Sequence, residues 1–64
     1  MNINFNRYVG KTMLLPHYGT VKILSVQQRA GPLCSVKIRS NGKVLIETVH
    51  TQVLEIAWEA KYGS

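Results

Sequence analysis

The sequence predicts an all-β domain, a small barrel of about five antiparallel strands with a one-turn helix before the last. Two observations predict it. The stretch Gly19 to Val49 reads as a β-meander with runs Thr20–Gln28, Leu33–Arg39 and Lys43–Val49. The joints between those runs are Ala30-Gly31-Pro32 and Ser40-Asn41-Gly42, which carry strong turn residues. Size adds a constraint, because a chain of 64 residues forms one domain. Such a domain buries only about 60% of its unfolded surface, so closure, self-association or a bound partner would each add stability.

Residues 1–10 read as an N-terminal arm, with alternation from Asn2 to Asn6 that suits a short edge strand or an arm laying Phe5 on the barrel. The barrel spans 11–56 and a tail spans 57–64. Thr12–Leu15 is the first main strand, ended by Pro16, which cannot donate to a ladder. Pro16-His17-Tyr18-Gly19 makes a loop with an exposed aromatic. In Thr20–Gln28 the apolar residues Val21, Ile23, Leu24 and Val26 change parity between Ile23 and Leu24. A bulge there would let one face hold them. His50-Thr51-Gln52-Val53 reads as the one-turn helix and Leu54–Ile56 as the short last strand. Ala57–Tyr62 adds a helical turn, with Trp58 and Tyr62 at i,i+4 and Trp58 covering an open end of the barrel.

The central hairpin admits two registers. A two-residue Asn41-Gly42 loop pairs Ser40 with Lys43 and sets Val36 opposite Glu47. A three-residue loop pairs Arg39 with Lys43. That register puts Cys34, Val36 and Ile38 on one face with Val44, Ile46 and Thr48, and Ser35, Lys37 and Arg39 on the other with Lys43, Leu45 and Glu47. The second arrangement makes the cleaner apolar face and is the expected one. The expected core is Val21, Ile23, Val26, Cys34, Val36, Ile38, Val44, Ile46 and Leu54.

Net charge is +5, and its layout is uneven. Residues 1–46 carry seven cations and no acid, whereas 47–64 carry Glu47, Glu55, Glu59 and Lys61. A basic body points to an anionic partner, most often nucleic acid. No apolar run approaches the roughly 20 residues of a membrane span, and the first residues lack the pattern of a signal peptide. Cys34 is alone, which excludes an internal disulfide and fits a cytoplasmic setting.

Five short strands with a tight central hairpin and a helical turn before the last follow the order of an SH3-like barrel. Pro16-His17-Tyr18-Gly19-Thr20-Val21, Val26, Val36-Lys37-Ile38 and Leu54-Glu55 together resemble the Tudor/KOW-type modules at the C-terminus of the UvrD/PcrA helicases and in transcription-coupling proteins. The resemblance covers residues 10–56 and rests mostly on barrel-building positions. It implies a module that attends a nucleic-acid machine. The pattern is also similar to SH3-like accessory subunits of redox complexes, which implies docking on protein. It resembles plasmid-type dihydrofolate reductase too, but Val36-Lys37-Ile38-Arg39 lacks the Gln and Tyr of that enzyme's strand, so the activity does not carry over.

Catalytic chemistry is poorly served, and a non-enzymatic module is expected, with no cofactor and no metal. Cys34, His17 and His50 are too scattered to predict a metal or nucleophile site, and Cys34 sits at a core position. No Gly-rich phosphate loop precedes a Lys-Ser or Lys-Thr pair. The expected nucleic-acid surface is Lys22, Arg29, Lys37, Arg39 and Lys43, with Tyr18 as the exposed stacking aromatic. Either DNA or RNA would suit it, since phosphate contacts do not read sequence. The alternative is a protein-docking adaptor or inhibitor, such as a virus or mobile element encodes, with no nucleic-acid contact. Leu33, Leu45 and Trp58 are its candidate interaction residues, and Leu33 with Leu45 could form a homodimer patch on the outer hairpin face. Its groove would lie between the first loop and the Gly31-Pro32 loop, and no membrane partner is expected.

Overall fold

A computed structural model describes residues 5–63. It is a four-stranded antiparallel sheet followed by one helix. The strands are β1 (Thr12–Leu15), β2 (Gly19–Gln28), β3 (Leu33–Ser40) and β4 (Lys43–His50), and the helix is α1 (Thr51–Tyr62). They pair in chain order, β1-β2-β3-β4, so the sheet is a meander with β1 and β4 at its edges. A 3₁₀ turn, Asn6–Tyr8, precedes β1 and delivers Tyr8 into the core. Phe5 packs on that core, while the edge strand expected over Asn2–Asn6 falls mostly outside the described residues.

The parity change in β2 resolves as expected. Ile23 pairs with Ile38 and Ser25 with Lys37, so Leu24 is the extra residue of a bulge. Val21 and Ile23 before the bulge, and Val26 after it, then share the face that meets Val36 and Ile38.

The hairpin takes the other register. Ser40 pairs with Lys43, and both Asn41 (φ 52°) and Gly42 (φ 79°) are left-handed. Those angles make a type I′ turn, whose twist matches the strands it joins. The three-residue loop expected from the sequence is therefore replaced, and every side chain of β4 changes face. Leu45, Glu47 and Val49 turn inward, while Val44 and Ile46 turn outward and are 47% and 67% exposed. Val44 and Ile46 thus leave the expected core. Met13, Leu15, Tyr8 and Ala57 join Val21, Ile23, Cys34, Val36, Ile38 and Leu54 in it, with Val26 half-buried beside them.

The fifth strand is replaced as well, because Leu54–Ile56 lies inside α1. Val53, Leu54, Ala57 and Trp58 recur at helical spacing and pack on the core, and Glu55, Glu59, Ala60 and Lys61 are good helix formers at exposed positions. The His50 Nδ1 accepts from the Gln52 N–H at 3.1 Å and caps the helix start. At the other end the Tyr62 hydroxyl donates to the Thr12 carbonyl at 3.0 Å, fastening α1 to β1. The helix touches both edge strands and spans the gap between them. Among the described residues β1 and β4 do not pair, and the sheet stays unclosed.

Cys34 is fully buried, its thiol donating to the Val49 carbonyl at 3.5 Å, and burial pushes its pKa up. A water-soluble disulfide reagent should therefore leave native Cys34 unmodified at neutral pH and modify it at once in denaturant. Rapid native modification, followed by absorbance, would contradict this packing.

Candidate nucleic-acid interface

The outward face of the sheet is built by alternation along β2, β3 and β4. Lys22 of β2 lies opposite Arg39 of β3, and Arg39 opposite Val44 of β4. One row along, Ser25 lies opposite Lys37, and Lys37 opposite Ile46. The next row is Gln27, Ser35 and Thr48. Arg29 leaves β2 and folds back onto this face, its Nε donating to the Ser35 hydroxyl at 2.8 Å. Lys22, Arg29, Lys37 and Arg39 are all exposed.

Four of the six residues expected at a nucleic-acid surface thus share one face. Lys43 does not, because the two-residue loop turns it to the opposite parity at the hairpin tip. Tyr18 does not either. It sits in the β1–β2 turn and packs on the concave side, where hydrogen bonding to the Glu47 carboxylate holds its phenol above the ordinary pKa. The expected placement of Glu47 beside Lys37 is overturned by the same register. Its departure leaves the ladder rows of the outward face without an acid, since Glu47 is the lone acid of residues 1–54.

Lys22 and Arg39 are opposed directly across two strands, an arrangement that costs stability in any sheet. Val44 and Ile46 add an exposed apolar strip beside the cations. The apolar strip departs from the expected register, although the Asn41-Gly42 pair is the signal that places it.

The residues considered for protein contact are dispersed. Leu33 is on the outward face and 40% exposed. Leu45 belongs to the inward face near the hairpin tip, which corrects its expected place beside Lys37. Trp58 is half-buried, its ring edge-on to Tyr8 at 5.6 Å and 4.5 Å from Tyr62, with the Arg7 guanidinium over it at 5.2 Å.

Two concavities lie on the helix side. An apolar groove of about 430 Å³ runs between β1 and α1, lined by Leu14, Leu15, Pro16, Val53, Ile56 and Ala60 among others. It continues into a hollow of about 340 Å³ where the Pro16-His17-Tyr18 turn faces Glu47–His50. In a flat sheet β1 and β4 would stand roughly 14 Å apart, so this shared hollow reflects a strongly bent sheet. Neither of these cavities is lined by Gly31 or Pro32. Among the described residues no three His, Cys, Asp or Glu side chains group as metal ligands, and no helix is long and apolar enough to cross a membrane.

Compared with protein-family models, curated proteins and solved structures, the chain matches none.

Proposed function

We propose that this chain is a non-enzymatic module that binds nucleic acid, or docks on a machine handling it, through the outward face of its sheet. The observation that carries this reading is the collection of Lys22, Arg29, Lys37 and Arg39 on one exposed face whose ladder rows hold no acid. Phosphates neutralise such a face, and the opposed Lys22 and Arg39 make sense where an anion sits between them. Binding would be directed at the backbone, with Val44 and Ile46 supplying apolar contact to sugars or bases. A bent sheet bridged by a helix is compatible with a small barrel of the SH3-like, Tudor/KOW type, and that kinship is part of the proposal.

The test is fluorescence anisotropy of the full chain with labelled duplex DNA, single-stranded DNA and RNA across a salt series. Four phosphate contacts predict a log–log slope of about −3.6 on duplex DNA, or a loss of roughly 100-fold in affinity between about 50 and 200 mM salt. Binding that ignores salt, or none at low salt, would remove the reading. In that case the β1–α1 groove, with Leu14 66% and Ile56 62% exposed, favours docking on an apolar protein segment instead.

A further inference from the structure

The β4 edge carries backbone groups that the outward face does not use. No further strand pairs with β4 among the described residues. In a two-residue hairpin Ser40 and Lys43 exchange both backbone hydrogen bonds, so Val44, Ile46 and Thr48 aim their N–H and C=O groups away from β3. Natural edges of this length are blunted by a proline, a bulge or a central charge. This one has eight residues in unbroken register, no proline, and three consecutive exposed apolar residues, Val44, Leu45 and Ile46. Lys43 and Glu47 bracket them.

That order, one cation, three apolar residues and one acid, complements itself when reversed. We propose that β4 is a self-pairing edge, joining two copies of the chain antiparallel about a two-fold axis at Leu45. Lys43 then faces the partner's Glu47, Val44 faces the partner's Ile46, and Leu45 faces the partner's Leu45. Each of the first two pairs occurs twice. The register also satisfies the backbone. Val44 and Ile46 are the residues whose polar groups point off the edge, and here they meet each other and exchange hydrogen bonds.

Neighbouring residue-centred registers lose the charge pairs: an axis at Val44 sets Lys43 against the partner's Leu45. An axis at Ile46 sets Leu45 against the partner's Glu47 and Lys43 against the partner's Val49. An axis between residues opposes an outward-pointing backbone to one that is already paired. The two-fold axis runs perpendicular to the sheet, so the outward faces become continuous across eight strands, twice the four of one copy. The pairing itself does not depend on the nucleic-acid reading.

Sedimentation equilibrium of the full chain over a concentration series tests this. The wild type is expected to approach twice its 7.2 kDa mass. Lys43→Glu alone and Glu47→Lys alone each oppose like charges at both ends of the seam, and each should raise the dissociation constant about tenfold or more. Mixed in equal amounts, the two variants have complementary edges and should associate as the wild type does. A wild type that stays at monomer mass throughout, or single variants that dimerise undiminished, would overturn the proposal, and a mixture of folded variants that stays monomeric would overturn the register. Circular dichroism checks that Glu47→Lys folds, since Glu47 meets Tyr18. Lys43→Glu lies at the exposed hairpin end and by itself keeps the test decisive.

Discussion

Arg39→Glu should bind nucleic acid at least about tenfold more weakly than the wild type at low salt while melting at a higher temperature. The two effects have one cause. Arg39 stands directly opposite Lys22 on the exposed face, and the substitution turns a like-charge cross-strand pair into an opposite-charge one. Solvent-exposed pairs of this kind are worth about 0.5 kcal/mol, which in a domain this small shifts Tm by roughly 2–4 °C. The same change removes a phosphate contact and puts a carboxylate where the nucleic acid would lie. The salt slope should also become shallower by one or two units, counted as lost counterions. Adding Lys37→Glu should abolish binding, because it takes the neighbouring cation of the next row. Thermal melts and anisotropy on the same preparation separate the outcomes. Unchanged binding by a folded double variant would exclude this face as the interface. A stability gain with loss of binding is what a surface kept for function at the expense of the fold predicts.

Leu54→Ala should cost about 3 kcal/mol, whereas Ile56→Ala should cost almost nothing. Leu54 is fully buried and Ile56 is 62% exposed, though they stand only two residues apart. In a strand, residues at i and i+2 share a face, and both substitutions would be costly. In a helix they diverge by about 200°, so one is buried and the other lines the groove. Urea titrations of the two variants therefore report directly on α1. A domain of this size has only about 3–10 kcal/mol to lose, so Leu54→Ala should be largely unfolded in mild denaturant. Equal losses at both positions would restore the last strand that the sequence suggests.

Much of the architecture is legible without coordinates, because it is encoded locally. Thr12–Leu15 as a strand, the three-run meander, the Ile23–Leu24 bulge and the burial of Cys34 all follow from short-range signals: alternation, breakers and a change of parity. The cluster of cations was legible in part for the same reason. Lys37 and Arg39 share a strand, and two residues on one strand share a face in any register.

Two features were not decided by alternation. The side chains of β4 suit either face, since Val44, Leu45 and Ile46 are all apolar and each register buries some of them. The type I′ geometry at Asn41-Gly42 selects one, and with it moves Glu47 to Tyr18, Lys43 off the basic face and Val44 and Ile46 onto it. The tail is the other. Val53 to Tyr62 is too short to hold a helix by propensity alone. It becomes one continuous helix because Leu54 and Ala57 find a core on the bent sheet, with Trp58 meeting Tyr8 and Tyr62 reaching Thr12. Alternation specifies which residues can share a surface, but which surface is covered depends on the partner element, and that partner is set only when the chain packs.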